Sequence, residues 1–379
     1  MKKENELDLN LKLRMMRYLW YNGYFTRKDV NLLRYSFGKK TDQQYTDIDV
    51  LGLRIDRHFM QRLIICDCKS GARAKTAERI FWLSGVMKYL NADQGFFLRT
   101  KVTESRYLDL AERLEIVPLS TNQLLKLEKT YNIESKPYVA SFNEDIIGKD
   151  EVIFNKIKDE GRLIYDYIAF RYWIDPIQQR ITSLVQSEYK IDKLSTVNDK
   201  EKTFLQLYVL SLFSISVLKF SESVLIVSNN EKEDFMKENL LGGRMESTER
   251  KKLFRAFYDF MKNEIKERYN KRYPIPRIDF MSHFYPKYLK YLLDLIERIC
   301  LKPTAAIQVP RLLDILAYEI VLNEKGENII SQVFSHDNNF NLIETSKLTR
   351  DFFTFGYRSG FISEERFDLL KGLMLKIGP

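Results

Sequence analysis

The sequence predicts an α/β region, a mixed sheet flanked by helices, followed by an all-α region. Three observations predict it. Two apolar segments at hairpin spacing, 45–55 and 63–69, lie near the start of the chain. A β-α-β pattern follows between Gly95 and Leu119. Beyond Asp150 the apolar residues recur at helical spacing. The 379 residues suit two domains, and 45% apolar content is ample for a core. The expected division is 1–135 for the α/β part, 136–150 for a linker and 151–379 for the helical part.

Leu9, Leu13, Met16, Leu19 and Trp20 share helical spacing, so 7–24 reads as a first helix, ended by Gly23. Glu4, Glu6 and Asp8 fall in it, none at a spacing that marks a site. Residues 30–37 read as a short element leading into the hairpin. The hairpin turns at Asp56-Arg57-His58. A small basic turn, 70–75, then opens a helix over 76–89, with Arg79 expected on its surface. Residues 95–100 read as a strand, 104–114 as a helix, 116–119 as a strand and 121–131 as a closing helix. Crossovers this short give parallel strands. Residues 133–150 are polar and broken by Pro137 and Gly148, which marks a boundary.

Helices are expected over 152–172, 177–189, 204–227, 285–301 and 309–322. A helical hairpin over 349–377 would turn at Gly356 and Gly360. The run 204–227 is long enough to span a membrane. Gln206, Lys219 and Glu222 interrupt it, so a buried central helix is expected and no membrane partner.

The chemistry concentrates in the hairpin. Alternation puts Asp47 and Asp49 on one face of the first arm. On the second arm Asp67 and Lys69 share a face, and Cys66 and Cys68 point the other way as small core residues. Charges ending an apolar strand need compensation, and a divalent cation would supply it. Asp47 lies at the strand's start and reads equally as a metal-site residue, by an outer contact or at a second ion, or as an exposed edge carboxylate.

The phrases TDIDVLG and IICDCKSG carry a family pattern: Asp49 near one strand end, then Asp67-Cys68-Lys69 on the next. This resembles the PD-(D/E)xK nuclease superfamily, the restriction-endonuclease-like fold, in its Mrr-like branch. The resemblance covers residues 1–132. Asp67 stands where Glu is commoner in that family. The resemblance implies a Mg²⁺-dependent endonuclease, with Mn²⁺ able to substitute, acting on nucleic acid. DNA is the expected polymer and prokaryotic defence or restriction the expected role. It implies Asp49, Asp67 and Lys69 as catalytic residues. The ion would be held by Asp49, Asp67 and the main-chain carbonyl of Cys68. Arg73 and Lys75, just beyond Lys69, read equally as substrate-backbone contacts or as a solvated turn. An RNase with the same site, and a binding scaffold without turnover, stay open.

The net charge of +9 and pI of about 9.1 fit an anionic polymer partner. The most basic stretch is 250–277, with Tyr269 and Tyr273 among its lysines and arginines. It reads more readily as a solvated helix face than as a nucleic-acid backbone contact, with Phe254, Phe257 and Phe260 entering the core in either case. Cys66, Cys68 and Cys300 are the only cysteines, without zinc-ligand spacing. That usage suits a reduced, cytoplasmic protein. The stretch MKKENELDLN has no apolar run of the secretory kind. Leu241-Gly242-Gly243-Arg244 lacks the pattern of a phosphate loop. The resemblance further implies a homodimer as one assembly, and a companion protein on the helical part stays open as another.

Overall fold

The computed structural model describes residues 2–34, 43–71, 75–241, 244–269, 285–326, 328–335 and 340–375. Helix α1 (Lys2–Tyr21) precedes strands β1 (Phe25–Arg34), β2 (Gln43–Ile55) and β3 (Gln61–Lys69). Helix α2 (Thr76–Leu90), β4 (Gln94–Arg99), α3 (Leu108–Arg113), β5 (Ile116–Ser120) and α4 (Thr121–Thr130) follow. The five strands form one mixed sheet in the order β1-β2-β3-β4-β5. The first three are antiparallel neighbours, and β3, β4 and β5 run parallel. The remainder is mostly helical.

β1 is a full strand where the sequence suggests only a short element. Its charged run hides it, because each charge is matched by a distant partner. Arg27 pairs with Asp314 at 2.8 Å, Lys28 with Glu151 at 2.7 Å and Asp29 with Lys12 at 2.5 Å. The helical part covers this edge of the sheet. The other edge, β5, is short and carries Pro118, which discourages further strand pairing. The hairpin turn is fixed by Asp56, whose carboxylate accepts the amides of His58 and Met60. Phe59 sits there at φ 64° with its ring fully buried.

Two glycines show how the helices seat. Gly52 pairs with Ile64, and a side chain there would meet Leu19 of α1. Gly95 pairs with Ile65, one residue on, and a Cβ there would lie 2.7 Å from Met87 Sδ of α2. Adjacent residues of β3 point to opposite faces, so α1 and α2 cover opposite faces of the sheet. Gly95→Ala is expected to lower stability by about 1–3 kcal/mol through overpacking against Met87, Leu83 and Ile116. Urea denaturation checks it; an unchanged midpoint would show that α2 shifts freely.

The helix Asp199–Leu225 runs through the helical part. Its most apolar stretch is 94% buried inside the protein. A capping box of Asn198 and Glu201 starts it. Its buried serines Ser211, Ser214, Ser216 and Ser221 donate back to helical carbonyls, as Ser216 does to Leu212, so their hydroxyls are satisfied.

Segment 136–150 differs from a simple polar linker. Val139, Ala140, Phe142 and Ile146 are buried. The buried carboxylate of Glu319 accepts from the Ala140 amide and the Asn143 side chain. Arg17 and Tyr21 of α1 donate to carbonyls of residues 134, 136 and 137. The segment is a wedge, and one contiguous apolar core runs through both parts.

Two further expectations are corrected. Gly356 lies inside the helix Leu342–Arg358 rather than at the turn, and its missing side chain admits Ile362; Gly360, at φ 76°, makes the turn. The basic stretch forms the helix Arg244–Tyr269, with residues 270–284 outside the described set. Phe257 and Phe260 are not core: they are 59% and 58% exposed, beside exposed Leu253 and Met261. Among the described residues this helix meets the fold chiefly through the preceding helix Lys232–Leu240, so its apolar stripe has no layer to enter.

Candidate active site

β2 pairs with β1 along nearly its whole length but with β3 only from Val50 to Ile55. At Asp49 and Asp67 the two strands part. β3 stays in register with β4 as far as Lys69 and Arg99. A fork therefore opens in the sheet, and charged side chains fill it. Asp49 Oδ2 takes the ladder's place by accepting the Cys68 amide at 2.8 Å.

The fork brings together the acid of one arm with the acid and amine of the other. Lys69 Nζ lies 3.2 Å from Asp49 and 3.9 Å from Asp67. Both carboxylates are buried, at 3% and 0% exposure, while Lys69 is half-buried. The Cys68 carbonyl, assigned from sequence to the ion, leaves an extended strand on the same side as the Cys68 amide, toward the fork. Cys66 and Cys68 are buried, and burial pushes both thiols well up, so they are inert.

Three residues that the sequence reading did not assign complete the constellation. Arg79 of α2, expected on the surface, forks onto both oxygens of Asp67, with its Nε 2.8 Å from Oδ2. It stacks over Trp82, 4.0 Å from the ring centre. The signal was present: Arg79 precedes Ile80, the first residue of the buried stripe Ile80, Leu83 and Met87. Lys12 of α1 spans two carboxylates, 2.5 Å from Asp29 and 2.8 Å from Asp49. Nothing in the sequence marks Lys12. Asp29 lies between Lys28, paired with Val50, and Val30, paired with Ile48, which sets it beside Asp49. Its φ of 52° is a left-handed conformation that Asp tolerates and that clusters at functional sites.

The electrostatics follow from this packing. Burial pushes Asp49 up, but Lys12, Lys69 and the Cys68 amide outweigh it, so its pKa is lowered. Burial pushes Asp67 up; Arg79 pulls it down without cancelling the shift, and the Asp49 charge adds to the rise. Asp29, Asp49 and Asp67 are matched by Lys12, Lys69 and Arg79. The compensation expected from a divalent cation is thus supplied by the protein's own cations.

Beside Lys12 lies an acidic group that could hold a metal ion. Carboxylate oxygens of Asp29, Asp47 and Asp49 lie within 4.8 Å of one another, a hard-oxygen set suited to Mg²⁺ or Mn²⁺. Lys12 Nζ, bridging two of them, occupies the position of a cation. Asp47, the exposed member, is thus grouped with Asp49. Asp67, expected as a direct ligand, has both oxygens committed to Arg79. Of the N-terminal acids, Asp8 accepts the Ser70 amide at 2.6 Å and pins the end of β3, while Glu6 is exposed. Lys75 is exposed and pairs locally with Glu78 at 2.8 Å, away from Lys69's partners. Arg73 lies outside the described residues. No family model, curated protein or solved structure matches this chain.

Proposed function

We propose that this chain is a metal-dependent nuclease acting on nucleic acid, with DNA as its substrate. The observation that carries the reading is the meeting of Asp49, Asp67 and Lys69 where β2 and β3 part. A divalent cation bound there would polarise a phosphate oxygen and lower the pKa of water. Asp49, with Asp29 and Asp47, would hold it, and the Cys68 carbonyl faces the same fork. Lys69 is the residue free to meet substrate, being half-exposed beside two buried acids. Its ammonium stabilises negative charge developing on the phosphate. Arg79, on both oxygens of Asp67, would hold that carboxylate beside Lys69.

A second reading is a nucleic-acid-binding scaffold without turnover. It is favoured by the internal charge balance of Lys12 and Arg79. Arg79 tests whether Asp67 also joins the ion. If Asp67 is a ligand held in reserve, Arg79→Gln tightens Mn²⁺ binding by about tenfold, measured by calorimetry. Weaker or unchanged binding leaves the ion to Asp29, Asp47 and Asp49 alone. The test of function itself is a substrate panel of duplex DNA, single-stranded DNA and RNA, with Mg²⁺, Mn²⁺ or chelator. Metal-dependent cleavage lost in Asp67→Asn supports the nuclease. A wild-type protein that binds but never cuts removes it.

A further inference from the structure

One cavity of the described structure lies away from the fork. It measures about 570 Å³ and lies between the helices Leu289–Leu301, Leu342–Arg358 and Glu364–Leu375, with no residue of the sheet in its wall. Arg298, Lys302, Lys347, Arg350 and Lys371 line it, with Asp351 as the one acid in the wall. Glu344, just outside, pairs with Lys302 and Lys347. Arg298 pairs with Asp351 at 3.1 Å. Among the described residues, no carboxylate lies within ion-pair distance of Arg350 or Lys371; Lys371 instead hangs over the Phe367 ring. Five cations against two carboxylates leave a surplus of three, a third of the chain's +9. A neighbouring cavity of about 250 Å³ shares Arg298 and Asp351 and adds Arg358 and Asp294, one charge of each sign.

We infer that this cavity binds a small phosphate-bearing anion of the size of a nucleoside polyphosphate. Like charges held together in a concave wall repel one another unless a multivalent anion joins them. The volume falls in the range of ligand pockets. Guanidinium and ammonium groups on three helices converge from different directions, which suits clustered phosphate oxygens. The floor is apolar, formed by buried Leu348 and Phe353, with half-buried Phe367 at the wall. That floor would take the uncharged end of such a ligand. The cations sit far apart in sequence, so no motif announces them. The site is separate from the fork and does not depend on the nuclease reading.

The experiment is calorimetry on the full chain with three probes: ATP, inorganic tripolyphosphate and a short single-stranded oligonucleotide. The variants are Arg350→Ala with Lys371→Ala, and Asp67→Asn as a control outside the cavity. Neither cavity substitution removes a buried group, and circular dichroism checks the fold. ATP or tripolyphosphate should bind, the double variant should weaken that binding by about tenfold or more, and D67N should leave it unchanged. A stronger response to ATP than to tripolyphosphate would place the nucleoside on the apolar floor; equal responses would support the phosphate part alone. Binding of the oligonucleotide only, binding unaffected by the double variant, or no binding of any probe overturns the inference.

Discussion

Lys69→Ala is expected to lower the rate of divalent-dependent cleavage by about 10²–10³-fold, the usual cost of losing one group that stabilises transition-state charge. Its ammonium is the one cation of the fork close to both buried acids, 3.2 Å from Asp49 and 3.9 Å from Asp67. Lys12 remains on Asp49 and Arg79 on Asp67 in the variant, so neither acid is left without a partner. The fold should therefore persist, and the loss should appear in the rate rather than in substrate binding. Initial rates under saturating substrate and Mn²⁺ measure it. A variant cleaving at the wild-type rate would take Lys69 out of the chemistry.

The second large effect is on stability. Arg27 of β1 and Asp314 of the helical part are 4% and 1% exposed and form an ion pair across the two parts of the chain. Arg27 also donates to the Thr26 carbonyl and Ser211, and lies over the rings of Phe25 and Tyr208. Asp314→Ala removes the partner and leaves a buried guanidinium, at a cost of about 3–5 kcal/mol. Replacing both charges, Arg27→Met with Asp314→Leu, should recover much of that loss, because the penalty lies in the unpaired charge. Urea denaturation of the three variants measures it. A single variant as stable as wild type would mean that water reaches Arg27.

The elements most legible in the sequence were those built on local pattern. The hairpin arms, α2, β4, β5 and α4 all fall close to where periodicity puts them. The helix Asp199–Leu225 is buried, as its interrupting polar residues suggested. What stayed hidden depends on partners distant in sequence. β1 looks too charged to be a strand until Asp314, Glu151 and Lys12 are seen matching its charges. Arg79 looks like surface until Asp67 is seen beneath it. Phe257 and Phe260 look like core, because periodicity reports that a helix has an apolar stripe and not whether anything packs on it. The acids and amine of the fork were readable because each lies on the hairpin itself. Lys12 and Asp29 were not, since α1 and β1 reach the fork only through the fold.

The central claim is that the fork between β2 and β3 takes up a divalent cation. Anomalous diffraction from crystals grown with Mn²⁺ tests it most directly. The account predicts a peak in the fork, with oxygens of Asp49 and of Asp29 or Asp47 at about 2.2 Å and Lys12 displaced from between them. A fork without a peak at saturating Mn²⁺, with Lys12 still bridging Asp29 and Asp49, would contradict it.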